Sequence, residues 1–106
     1  MEDYTVSSGN IFEDMGFADA EERLAKAKLA AVINKIIQER GLTQEETAKI
    51  LRIKQANVSA LNNGRVKDFS IERLFSFLDS LDQHIEIKIT HKSKVKAEPS
   101  INIAYG

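Results

Sequence analysis

The chain has 106 residues, 42% of them hydrophobic, and a formal net charge of −1, which suits one domain with a modest core and tails. It contains no cysteine, so disulfides and thiolate metal sites are excluded, and no apolar run approaches the roughly 20 residues of a membrane span. The acidic, polar start MEDYTVSSGN is unlike a secretory signal, and a cytoplasmic protein is expected.

Residues 1–18 show no sustained period. Within them Ile11, Phe12, Met15 and Phe17 form an apolar group near two glycines, which suits packing against the body or against a partner. Asp19 opens the first clear helix, with Glu22 completing a D-x-x-E variant of the capping box. Helix-favouring Ala, Leu, Lys, Glu and Gln dominate residues 20–40. Leu29, Val32, Ile33, Ile36 and Ile37 fall on one stripe, and Gly41 is placed to stop the helix in a left-handed conformation.

Thr43 and Glu46 form a second box, T-x-x-E, before a short helix to about Leu51 that buries Thr47, Ala48 and Leu51. A third helix over about 55–62 turns Val58 and Leu61 inward and ends at Gly64. Ser70 caps a fourth, with Leu74, Phe77, Leu78 and Leu81 as its apolar stripe and Phe69 as the staple residue ahead of the cap. The period then changes. HIEIKIT alternates Ile85, Ile87 and Ile89 with Glu86 and Lys88, the pattern of a half-buried strand over residues 82–90. A lone strand needs a partner for its N–H and C=O groups. A second copy across a two-fold axis supplies one and gives a homodimer; a hairpin with INIAY (101–105) is the alternative. The remainder, 91–106, reads as a flexible tail.

Charge is unevenly distributed. Residues 1–22 hold seven acids and no base, whereas residues 47–67 hold five bases and no acid. A near-neutral total therefore conceals a basic segment that can face a polyanion.

Two short helices joined by a tight turn are the ingredients of a helix-turn-helix. Counted from Gln44 as position one, Thr47 and Ala48 occupy positions four and five, where the two helices nearly touch. Leu51, Ile53, Val58 and Leu61 occupy positions eight, ten, fifteen and eighteen. A large side chain at Ala48 would push the helices apart. This pattern, carried by LTQEETAKIL, VSAL and NNG, resembles the XRE family of helix-turn-helix proteins, the class of phage repressors and Cro, over residues 29–81. The resemblance implies a mainly α, four- to five-helix lambda-repressor-like domain (residues 19–81), to which the C-terminal strand would be added for dimerisation. It also implies a phosphate-clamping role for Gln44 and an adenine-reading role for Gln55.

The other residues follow from chemistry. Ala56 or Ala60 can meet a thymine methyl group, and Ser59 can bond a base edge or a phosphate. Asn62, Asn63, Arg65 and Lys67 follow the third helix and suit backbone phosphates. Two positions depart from the family. Arg52 stands where glycine is usual, and Lys54 stands where Ser or Thr often caps the third helix. Both put a base beside the expected DNA, and both are assigned to phosphate. The double-stranded operator expected for a dimer is an inverted repeat, its half-sites about 34 Å apart.

Rival chemistries find little support. His84 and His91 would point to opposite faces of a strand, which disfavours a shared metal. No phosphate-binding loop or nucleophile elbow occurs. No catalytic site, metal or cofactor is expected. The whole-chain layout, with a segment before the first helix and a strand after the fourth, resembles HigA-type antitoxins. That resemblance implies neutralisation of a RelE-like mRNA-cleaving toxin and repression of the protein's own operon. The acidic residues around Ile11, Phe12, Met15 and Phe17 would then cover the toxin's basic face. A stand-alone repressor, or an interaction module whose DNA face is vestigial, are the alternatives.

Overall fold

The computed structural model describes residues 19–87 and 103–106. Among them stand four helices, α1 (Asp19–Arg40), α2 (Gln44–Leu51), α3 (Gln55–Asn62) and α4 (Ile71–Ser80). The mainly helical class is as expected, and the boundaries follow from local chemistry.

At 22 residues α1 is about 33 Å long. It buries Leu29, Ile33, Ile36 and Ile37 as the periodicity indicates, and adds Ala25 and Ala30, whose small side chains let neighbouring helices approach. Val32 is half-buried against the same core. Glu22 reaches forward to Lys26 at 3.8 Å. Gly41 ends the helix at φ 63°, with its N–H on the Gln38 carbonyl and the Leu42 N–H on that of Ile37.

The capping box that opens α2 is complete. Glu46 N–H donates to Thr43 Oγ1 at 3.1 Å, and Thr43 N–H donates to Glu46 Oε1 at 3.0 Å. Thr47 is fully buried, and its hydroxyl donates to the Thr43 carbonyl at 2.8 Å. Ser70 caps α4 by accepting from Arg73 N–H at 3.1 Å. Phe69, just ahead of the cap, is buried and meets Phe77, farther along α4 than the usual staple partner, edge-on with centroids 5.7 Å apart. The Arg73 guanidinium lies 5.2 Å from the Phe69 centroid and 5.7 Å from that of Phe77.

One core joins all four helices. α2 packs closely on α3, while α1 contacts both α3 and α4. Ile33, Leu61, Leu74 and Leu81 are wholly or almost wholly removed from water, each such burial stabilising the fold by about 1.5–3 kcal/mol. Arg40 fastens the C-terminal end of α1 to that of α4: it donates to the Leu81 carbonyl and lies 3.7 Å from Asp82.

The C-terminal strand is not supported. Residues 82–87 carry no strand, and none occurs among the described residues. The chain leaves α4 through Asp82 at φ 62°, with Gln83 N–H on the Leu78 carbonyl. Ile85 is half-buried against the helical core, while Ile87 is 60% exposed. Among the described residues, the alternation rests one isoleucine, Ile85, on the helices, and no strand lies beside it. Ile89 lies outside the described residues. Of the expected tail, Ile103 packs against the core, and Lys35 Nζ sits 5.6 Å from the Tyr105 centroid. No helix among the described residues is long and apolar enough to cross a membrane.

Candidate functional site

The site is the pair α2–α3 and the loop after it. Its seam is sealed by Thr47, Val58 and Leu61, none of them exposed, and by Ala48 at 9% exposure. Their small or branched side chains fix how closely the helices cross. The turn between them is short. Arg52 ends α2 at φ 58°, ψ 45°, the left-handed conformation that glycine adopts without strain. Its N–H and that of Ile53 both reach the Ala48 carbonyl. Lys54 follows as the N-cap of α3 in extended conformation, with no side-chain capping bond.

The structure brings most of the expected residues to the surface of this unit. Gln44 stands exposed at the start of α2, and Gln55 and Ala56 in the first turn of α3. Arg52, Lys54, Asn62, Arg65 and Lys67 are exposed as well. Among the described residues none of Arg52, Lys54, Arg65 and Lys67 has a carboxylate within ion-pair distance. Lys49, by contrast, lies 3.6 Å from Glu45. A helix N-terminus carries unpaired N–H groups and partial positive charge. The first turn of α3, with Arg52 and Lys54 just ahead of it, can therefore meet an anion.

Two residues, Ala60 and Asn63, take a different place from the one expected. Ala60 is half-buried against the core, so its methyl group is less available to a thymine. Asn63 is the C-cap of α3. Its side-chain nitrogen donates to the Ser59 carbonyl at 2.9 Å and lies 3.4 Å from the Ser59 hydroxyl, so that amide closes the helix. Arg52 borders a shallow groove between α2 and α4, with Arg73, Ser76 and Ser80 on its far wall.

Sequence reasoning missed Asn34. Its Nδ2 donates to the Leu61 carbonyl at 2.9 Å, from the middle of α1 to the last turn of α3. The signal available was an amide interrupting the apolar stretch AAVINKII. The Glu46 carboxyl is held below the usual range of a glutamate by the Thr43 backbone N–H it accepts, assisted by the Thr43 hydroxyl. Among the described residues no cluster of metal-ligating side chains occurs. His84 lies 3.4 Å from Glu86, and His91 is outside the described residues. So are Ile11, Phe12, Met15 and Phe17.

A family model described as a helix-turn-helix domain matches residues 11–90. A solved structure assigned to the XRE family of transcriptional regulators is 40% identical, with a TM-score of 0.79. The alignment covers 84% of this chain and 100% of that one. No curated protein matches the chain.

Proposed function

We propose, for a chain that belongs to the XRE family of helix-turn-helix proteins, that it regulates transcription by reading DNA with α3 and doubles as an antitoxin. The observation that carries DNA reading is the first turn of α3. Gln55 and Ala56 stand exposed there, the N-cap is an unbonded lysine, and the opposite face of the helix is sealed on α2. In this reading the Gln55 amide bonds adenine N6 and N7 in the major groove, with Ala56 and Ser59 beside it. Gln44, Arg52, Lys54, Asn62, Arg65 and Lys67 hold the phosphates on either side. Asn63, whose side-chain nitrogen already donates to the Ser59 carbonyl, contributes less than the others.

The antitoxin role rests on the layout, which resembles HigA-type antitoxins, and on charge. The four acids of residues 1–18 carry no compensating base, so the rest of the chain is net +3 while the whole is −1. An acidic segment bearing Ile11, Phe12, Met15 and Phe17 suits the basic surface of an RNA-cleaving toxin of the RelE kind, and the rest suits DNA. The protein would act in the cytoplasm as a homodimer on an inverted repeat, repressing its own operon. A stand-alone regulator is the second reading, favoured by the solved relative, whose name speaks of transcription alone.

The test is binding of the purified chain to its own upstream DNA beside a scrambled duplex at physiological salt. Gln55→Ala should abolish the preference, and Lys67→Ala should weaken binding to both duplexes alike. Equal affinity of the unaltered chain for both duplexes would remove the reading by α3. Toxin binding that survives deletion of residues 1–18 would remove the assigned role of that segment.

A further inference from the structure

We propose that Asn34 is a positioning residue that sets the tilt of α3, and so the place of Gln55, without touching DNA itself. The inference rests on the DNA-reading role of α3 given above. Asn34 lies in α1 among Ala30, Ile33 and Ile37, all buried, at a place where an aliphatic side chain would pack. It bonds instead to the Leu61 carbonyl at 2.9 Å. A carbonyl can only accept, so the amide nitrogen faces α3 and the amide oxygen faces elsewhere. That oxygen is buried with no hydrogen-bond partner among the described residues. A polar group kept at such a place, half of it unsatisfied, is an expensive way to fill space.

What the bond supplies is direction. Val58 and Leu61 bury α3 through apolar contact, which depends on area and tolerates sliding and tilting. A hydrogen bond depends on angle and distance. Among the described residues, this is the only one between α1 and α3. It grips α3 at its last turn, while Gln55 stands at its first, about 9 Å away along the helix axis. A tilt of about 10° about Leu61 would therefore move Gln55 by about 1.6 Å, beyond the roughly 0.5 Å within which a binding constellation must be held. Lys54 makes no side-chain bond that would hold the other end.

Asn34→Leu keeps the volume close and removes both the bond and the orphaned oxygen, so the full chain should stay folded with a similar melting temperature. Preference for the upstream duplex over the scrambled one should fall about tenfold, while affinity for the scrambled duplex, which rests on phosphate contacts, stays within about twofold. Asn34→Gln retains a donor on a longer stem and should recover part of the preference. Residual dipolar couplings of the full chain should show α3 reoriented relative to α1 in Asn34→Leu. Unchanged preference and unchanged orientation in Asn34→Leu, with Gln55→Ala still losing preference, would overturn the inference and leave the reading role intact. Equal loss on both duplexes would mark Asn34 as structural only and overturn it too. An unaltered chain with no preference removes both.

Discussion

Replacing Arg52 with glycine should make the protein more stable and a poorer DNA binder. Arg52 holds φ 58° and ψ 45°, close to Gly41 at 63° and Gly64 at 70°, so the chain uses glycine for this conformation at two other helix ends. A non-glycine residue there costs about 1–2 kcal/mol. The greater freedom of an unfolded glycine returns about 0.5–1 kcal/mol of that. The net gain for Arg52→Gly falls in the range of about 0–1.5 kcal/mol, with a central value of about 0.75 kcal/mol, or about 3–6 °C in melting temperature for a domain of this size. The side chain is exposed, so little packing is lost, and moving one cation away from Arg73 acts in the same direction. Arg52→Ala is the control, because it removes the side chain and keeps the strain. Both variants should flatten the salt dependence of DNA binding by about one phosphate contact. Thermal melts followed by circular dichroism, with salt titrations of DNA affinity, read both effects. Arg52→Gly melting at or below Arg52→Ala would refute the argument from strain. An unchanged salt slope would take Arg52 off the phosphates and leave it to the groove it shares with Arg73.

Glu46 predicts a pH dependence. Its carboxyl is depressed in the folded chain, so its stabilising contribution is fully present above the ordinary glutamate value, about 4.3, and is lost as pH falls through the lower folded value. Glu46→Gln should shrink that part of the fall in melting temperature between about pH 5 and pH 3; an identical profile would mean the capping box does not titrate as described. Ala48→Leu would overpack the α2–α3 seam, costing about 1–3 kcal/mol in chemical denaturation and most specific DNA binding; a neutral result would show that the seam has room. Ile87, 60% exposed, is the aliphatic residue best placed for a second copy. If the chain forms the proposed homodimer, Ile87→Asp should sediment as a monomer, and a surviving dimer would place the interface elsewhere.

The helix-turn-helix was legible because its determinants are local. The capping box, the alanine at the crossing and the turn at Arg52 are each read within a few residues. What was illegible depends on partners distant in sequence. HIEIKIT alternates as a strand does, but alternation reports only that one face is apolar, and Ile85 meets that requirement on a helical core. Asn34 is passed over because helical period says nothing of a carbonyl 27 residues away. Ala60 lies off the buried seam by angle, and its side chain is short enough for the core to reach it. Asn63 was the avoidable miss. Its bond to the Ser59 carbonyl spans four residues, a spacing at which asparagine commonly bonds back to the helix.

The two ends of α3 are built unequally, and the inequality bears on function. At the C-terminal end the Ser59, Ala60 and Leu61 carbonyls accept from Asn63, Arg65 and Gly64 N–H groups, and the side chains of Asn63 and Asn34 add further donors. At the N-terminal end no side chain accepts from the first N–H groups, and Lys54 places a positive charge against the positive end of the helix. An eight-residue helix has little intrinsic stability to spare. Its deficit lies where α3 would enter DNA, and a phosphate there would satisfy the free N–H groups and offset the lysine together. Capping the helix internally, by Lys54→Ser, should therefore stabilise the free protein by about 1 kcal/mol while weakening DNA binding. A variant that gains stability and loses no affinity would show that the uncapped end is not reserved for phosphate.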